Sequence, residues 1–365
     1  MSQPKKVLIV GSKFGEIYLN AFIQPDPDWV LAGLLTKGSP RSRTLAKAFG
    51  IPLFTDINQL PDDIDFVCIV VRSSIVKGNG SKLAEHFIQQ GTSVLQEHPV
   101  HPDEILNLQQ MAKSHKCHYL VNSFYPNNMA GQKWITNAQN ICRQLQQSPV
   151  WGQVMTSRQL LYSALDLLCQ ALEQDPTKID VALEKDEKPL QTLRLSTPKG
   201  DFMLCLQKHL SLEDPDQHSL IMHHLILGWP AGYLTLGGSY GPVSWNNALF
   251  LRNHQNNEKS LYQAPEDMGL DVPVFRSLYE APENWRDVME IYGPEAVKYT
   301  LKKFHQYLDE SEHDREVAWR NDYQLALSQL WLKVLHSAGQ AEKGMAAPFK
   351  PLYLNHSKTQ EYLSI

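Results

Sequence analysis

The sequence predicts an α/β protein: a parallel sheet covered by helices on both faces, followed by an α+β domain with a largely antiparallel sheet. Three observations carry that expectation. Through the first third, short β-branched runs alternate with amphipathic stretches, the pattern of strands and covering helices. Asp65–Val71, DFVCIVV, is apolar enough to be buried on both faces, as a central parallel strand is. Beyond about residue 125, longer strands separated by turn signals become the dominant pattern.

The elements follow in order. Lys6–Val10 is a strand, Gly15–Phe22 a helix and Trp29–Leu35 a second strand. Arg41–Phe49 is a helix stopped by Gly50, a residue suited to the left-handed C-cap, and Pro52–Phe54 is a short strand. After DFVCIVV come a helix over Lys82–Gln90 ended by Gly91, a strand at Ser93–Gln96, a helix over Glu104–Lys113 and a strand at His118–Asn122. Six strands with intervening helices form the dinucleotide-binding arrangement, so residues 1–123 are expected to be a Rossmann domain. Residues 124–340 are expected to form an α+β substrate and dimerisation domain. Its elements include a helix over Leu160–Ala171, strands at Gln191–Leu195, Phe202–His209 and Tyr233–Ser239, a helical region opening at Glu283–Trp285, and a helix over Val317–His336. Residues 341–365 read as a tail.

Composition narrows the function classes. The 365 residues carry 34 Lys+Arg against 39 Asp+Glu, a formal charge of −5, which argues against nucleic acid as a partner. Five scattered cysteines without a C-x-x-C pair read as reduced thiols of a cytoplasmic protein. The N-terminal apolar run, Val7–Val10, is too short for a signal h-region or a membrane span.

The first strand runs into Gly11-Ser12-Lys13-Phe14-Gly15, where a Rossmann fold needs a tight turn against a pyrophosphate. Against G-x-G-x-x-G, Gly11 is in place and Lys13 takes the second glycine position, which brings an ammonium toward the phosphates. The second strand ends in Leu34-Leu35-Thr36-Lys37-Gly38-Ser39-Pro40-Arg41-Ser42-Arg43, with no carboxylate for the ribose hydroxyls of NADH. Lys37, Arg41 and Arg43, with Ser39, instead suit a 2′-phosphate and favour NADPH.

The fifth strand ends in Glu97-His98-Pro99 at the carboxyl edge of the sheet, where open α/β folds bind ligands. In this respect the first third resembles the glucose-fructose oxidoreductase family, the inositol dehydrogenase-like reductases, whose corresponding strand ends in Glu-Lys-Pro. Histidine thus stands at the position of that family's catalytic lysine. Ser163, in Ser163-Ala164-Leu165-Asp166, stands where its His-x-x-Asp motif has histidine. Both departures count against oxidation of a sugar alcohol.

A second resemblance covers nearly the whole chain. VLIVGSKFGEIYLNAF, CIVVRSS, QEHPVHPDE, NSFYPN, TSRQLLYSALDLL, DPDQHSLIMHHLILGWP and SYGPVSW are similar to segments of the thiazolinyl imine reductases of siderophore assembly lines. That resemblance implies an NADPH-dependent reduction of a carrier-protein-bound thiazoline to a thiazolidine, with the carrier's phosphopantetheine arm as partner. It also implies His98 and Tyr125 as the candidate proton-donating pair. Arg72, in CIVVRSS, and Glu97 join the candidates for cofactor contact.

The chemistry suits these residue types. Reduction of a cyclic C=N needs a proton on nitrogen, and a histidine has an ordinary pKa near neutrality. Tyr125 follows the sixth strand and is expected at the same sheet edge. The residues do not choose between the two as the acid. Asp166, Arg158 and Gln159 are candidates for substrate contact. His218, His223 and His224 have the wrong spacing for a zinc site and read as structural or substrate-facing, while Trp229, Tyr240 and Trp245 read as core. His101, before Pro102, belongs to a helix entry. A homodimer is expected, and the competing functions are a sugar or polyol dehydrogenase and a non-catalytic NADP(H)-sensing regulator.

Overall fold

A computed structural model describes residues 4–76, 78–211, 219–249, 270–308 and 310–344. The tail beyond residue 344 and His218 lie outside them. β1 (Lys5–Val10), β2 (Trp29–Leu35), β3 (Leu53–Phe54), β4 (Phe66–Ile69), β5 (Ser93–Glu97) and β6 (Tyr119–Asn122) form one parallel sheet in the order β3-β2-β1-β4-β5-β6. Phe66, Val67, Cys68 and Ile69 are fully buried, as the apolar run requires of a strand covered on both faces. The chain order reverses between β1 and β4, and the crevice at their carboxyl ends is the place where such sheets take ligands.

The covering helices are α1 (Gly15–Asn20), α2 (Pro40–Phe49), α3 (Gly80–Gln89) and α4 (Pro102–Ser114). Capping chemistry explains the bounds of α2. The Ser39 hydroxyl accepts from the Ser42 amide, Pro40 occupies the first turn, and Gly50 closes the helix at φ 64°. His101 caps α4 by accepting from the Asp103 amide at 3.2 Å.

The second domain begins with α5 (Met129–Leu145), which the sequence reading did not foresee, and continues through β7 (Trp151–Thr156) and α6 (Leu161–Ala171). β8 (Asp180–Lys185), β9 (Leu190–Thr197), β10 (Gly200–Gln207), the short β11 (His209–Leu210), β12 (His223–Trp229), β13 (Gly232–Leu236), β14 (Val243–Asn247) and β15 (Phe275–Tyr279) follow. Eight of these strands make a sheet ordered β15-β14-β13-β12-β7-β10-β9-β8, in which β7 and β10 alone run parallel. The largely antiparallel character agrees with the prediction. Leu193, Leu195, Phe202, Leu204, Leu225 and Leu234 are buried in this domain, whereas Trp151, Met203 and Tyr233 remain exposed.

Helices Gly293–Leu308 and Asn321–Ala338 fall within the second domain by sequence, yet both also pack on the first. Phe304 meets Phe66 edge to face at 5.3 Å. Gln324 accepts from the Val121 amide at 2.9 Å and donates to its carbonyl at 3.2 Å, so its side chain completes the outer edge of β6 as a further strand would. The second of these helices starts later than its hydrophobic pattern suggests, because Arg320 is extended at φ −82°, ψ 146° after a separate turn at Val317–Trp319. No described helix is long and apolar enough to cross a membrane.

Candidate active site

Two strand ends build the site. β5 delivers Glu97 and His98, and β6 delivers Asn122 and, after one tight turn, Tyr125. That turn is a γ-turn of the rare positive-φ form: Phe124 lies at φ 59°, ψ −62°, and the Tyr125 amide donates to the Ser123 carbonyl at 2.7 Å. A conformation of this kind costs about 1–3 kcal/mol and persists only where its surroundings dictate it. Here Phe124 is fully buried, its ring meets Phe14 at 5.0 Å, and its amide donates to Asn122 Oδ1 at 3.1 Å. Gly131 completes the fit, since a Cβ there would stand 2.2 Å from the Tyr125 carbonyl oxygen.

Asn122 is the hub. Its Nδ2 donates to Glu97 Oε1 and to the Tyr18 hydroxyl, both at 2.7 Å, and its Oδ1 accepts from Asn127 at 3.0 Å as well as from Phe124. Its carbonyl receives the His98 amide and His98 Nδ1, each at 3.0 Å. Glu97 also accepts from the Tyr18 hydroxyl, so this buried carboxylate is satisfied from two directions. The His98 ring stacks on Tyr162 at 5.2 Å and 24°, and its Nδ1 lies 3.4 Å from Glu97 Oε2, an ion pair whenever the ring is protonated. With Nδ1 donating to a carbonyl, Nε2 is the atom through which the ring exchanges a proton, and no described residue bonds to it.

Tyr125 stands among aromatic rings, 4.6 Å from His223 and 6.0 Å from Tyr240 between centroids. Burial first, then the nearby Glu97 charge, push its phenol well up, so it is held protonated. A hydrogen bond from Tyr240 acts in the opposite direction. Ser163, on α6, is bonded to His223 at 3.0 Å, so an imidazole reaches this point from β12 although the helix itself carries serine.

Burial, followed by the charge of His98, pushes the His223 imidazole down to about 3 from its ordinary 6.5. The unfolded chain therefore binds a proton that the native state refuses. Stability is unaffected by this group above about pH 6.5 and falls as the pH drops from there toward about 3. Between pH 6.5 and 5 the loss is expected to be about 2 kcal/mol, read as the change in denaturant midpoint, and His223→Gln should flatten that slope.

The remaining sequence candidates divide by location. Gly11 sits at the switch point with φ 107°, and a Cβ there would stand 2.7 Å from the Val70 carbonyl oxygen, so only glycine leaves this turn open. Ser12, Lys13, Phe14 and Gly15 continue it; Lys13 is exposed, while Phe14 turns inward onto Phe124. Lys37, Arg41 and Arg43 are exposed beside that turn around the Ser39 cap. Arg41 reaches back to Glu16 and the Ser12 carbonyl, and Arg43 Nε donates to the Gly38 carbonyl at 3.0 Å. Arg72 follows β4 at the same sheet edge. This open glycine turn flanked by cations fits the pyrophosphate of a nicotinamide dinucleotide.

Of the candidate substrate residues, Asp166 lies within reach of the His98 charge and of Ser123, while Arg158 and Gln159 bond elsewhere. Asp166 is buried and accepts from Tyr323 at 2.7 Å and Gln170 at 2.8 Å. Arg158 donates to Gln191 at 2.6 Å, to the Gly339 carbonyl at 2.9 Å and to the Gln207 carbonyl at 3.2 Å, tying the end of the last long helix to the second sheet. Gln159 donates to Ser219 at 2.7 Å. His223 and His224 are neighbours on one strand and point to opposite faces. Tyr240 belongs to the site, while Trp229 and Trp245 pack together at 6.0 Å.

Residues 5–123 match the family described as oxidoreductase family, NAD-binding Rossmann fold. The fold and this match define the class of the first domain: a Rossmann fold of the NAD-binding kind found in an oxidoreductase family. Residues 147–246 match the more particular family described as thiazolinyl imine reductase Irp3-like, C-terminal. No curated protein matches the sequence. Among solved structures, the chain is similar to an oxidoreductase of Agrobacterium radiobacter in complex with NAD+, L-tartaric acid and magnesium, at TM-score 0.63 and 12% identity over 92% of this chain and 96% of that one. A putative myo-inositol dehydrogenase of Sinorhizobium meliloti gives 0.61 and 12% over 92% and 97%. Biliverdin reductase of a Synechocystis species, in complex with biliverdin and NADP+, gives 0.59 and 13% over 92% and 100%. At these identities the likeness speaks for the fold.

Proposed function

We propose that the protein reduces a carrier-bound thiazoline to a thiazolidine with NADPH. The observation that carries this reading is the match of residues 147–246 to the Irp3-like C-terminal family, joined to a sheet edge bearing His98 and Tyr125. Gly11, Ser12, Lys13 and Gly15 would hold the pyrophosphate; Lys37, Ser39, Arg41 and Arg43 would hold the 2′-phosphate, and Arg72 and Glu97 line the same edge. The cofactor supplies the hydride for the imine carbon. His98 supplies a proton for the ring nitrogen from Nε2, with Asn122 fixing the ring through its carbonyl and Glu97 balancing the imidazolium. Tyr125, held protonated, orients that nitrogen or donates to it directly. Asp166, Arg158 and Gln159 act on substrate through the walls they hold together.

The partner in this reading is the carrier protein that bears the thioester on its phosphopantetheine arm. The exposed residues Trp151, Met203 and Tyr233 are the proposed homodimer surface. The test is product analysis: a synthetic 2-aryl-thiazoline thioester incubated with protein and NADPH should gain two hydrogens, and recovery of unchanged thiazoline despite cofactor binding would sink the reading. The cofactor preference has its own check. Arg43→Glu should lower the ratio of kcat/KM with NADPH to that with NADH at least about tenfold, because a carboxylate there repels the 2′-phosphate.

A further inference from the structure

His223 is a buried imidazole that the proton delivery above does not use. It is 1% exposed, and its ring lies 4.6 Å from that of Tyr125, tilted by 55°. Its tautomer follows from its neighbours. Ser163 Oγ donates its single proton to the Leu160 carbonyl at 3.0 Å, so toward His223 it accepts. Nε2 of His223 therefore carries the hydrogen, and Nδ1 presents a lone pair that the Ser239 hydroxyl fills at 2.8 Å. The two serines come from α6 and from the turn after β13, so the ring is held at both nitrogens by separate elements.

We propose that His223 is a positioning residue for the reduction: a Ser163–His223–Ser239 clamp presents an uncharged imidazole to Tyr125 and fixes that phenol at the sheet edge that bears His98. The inference rests on the imine reductase reading, and it adds a residue and a reason. The titratable groups facing His223 are His98, just after β5, and Tyr125, in the turn after β6, with Glu97 and Tyr240 next to Tyr125. A cation on His223 would repel the His98 imidazolium and draw Tyr125 toward its phenolate, disarming both proton donors. Burial works against that cation, in keeping with the direction in which the imidazole is pushed.

Two measurements test the clamp. Ring nitrogen NMR of the full chain, with the His223 signals assigned by their loss in His223→Gln, should show a neutral Nε2–H imidazole from pH 8 down to about 5. A His223 doubly protonated by pH 5 would overturn the clamp. In steady-state kinetics His223→Gln keeps polar contact with the serines and loses the ring against Tyr125. It should lower kcat about tenfold, leave KM and NADPH affinity within about twofold, and shift the acid limb of the pH profile. A folded His223→Gln protein with unchanged kcat and pH profile contradicts the positioning role. Absence of turnover by the unsubstituted protein overturns the functional reading and the positioning role together, and the nitrogen shifts still decide the clamp separately.

Discussion

His98→Ala is expected to lower kcat/KM for the thiazoline thioester by about 10²–10⁴, the range typical of a lost general acid, with NADPH affinity within about twofold. Three features of the ring set that size. Its Nδ1 is committed to the Asn122 carbonyl, Tyr162 fixes its plane by stacking, and no described residue bonds to Nε2. The ring is thus oriented by the protein and available at one atom. Steady-state rates paired with a fluorescence titration of NADPH separate chemistry from binding. A loss below about threefold would assign the proton to Tyr125, and Tyr125→Phe would then carry the large effect.

The largest loss of stability is expected from Asn122→Asp. The amide donates at 2.7 Å to Glu97 Oε1, and the substitution puts a carboxylate oxygen in place of that donor. Two buried carboxylates then face one another with one fewer hydrogen bond between them. A buried charge left without its partner costs about 3–5 kcal/mol, which for a chain of this size should lower the melting temperature by about 5 °C. The pH dependence has a definite sign. The crowded pair binds a proton more readily folded than unfolded, so the deficit is small below the ordinary carboxylate range, near about pH 4, and grows as the pH rises. Melting curves of the variant and its parent at pH 5 and 8 check this, and equal deficits at the two values would contradict it. Turnover should fall as well, since Asn122 also holds His98 through its carbonyl and Phe124 through its side chain.

Much of the first domain is legible in the sequence because its signals are local. The apolar run of β4, the serine and glycine caps of α2 and the glycine turn after β1 each lie within a few residues of what they specify. The Glu97-His98-Pro99 stretch is legible for the same reason, as the end of a buried strand in a parallel sheet. α5 was missed although Asn128 caps it by accepting from the Gly131 amide at 2.7 Å, because its apolar stripe of Trp134, Ile135 and Ala138 is diluted by polar residues. Asn122 carries no pattern at all: its partners Tyr18, Glu97 and Asn127 come from separate elements that only the fold assembles. Arg158 is similar, since it meets a carbonyl 181 residues away. His223 stood out in the sequence as one of three histidines. Only the approach of β12 to α6 shows that it meets a serine and a tyrosine.

The most direct test of the central claim is a side-by-side rate measurement with the intact protein: NADPH consumption on a 2-aryl-thiazoline thioester, against NADP+ reduction by a panel of sugars and polyols. An imine reductase consumes NADPH on the thioester and leaves NADP+ unchanged by every polyol. Efficient polyol oxidation with no activity on the thiazoline, whether free or loaded on a carrier protein, would contradict the claim.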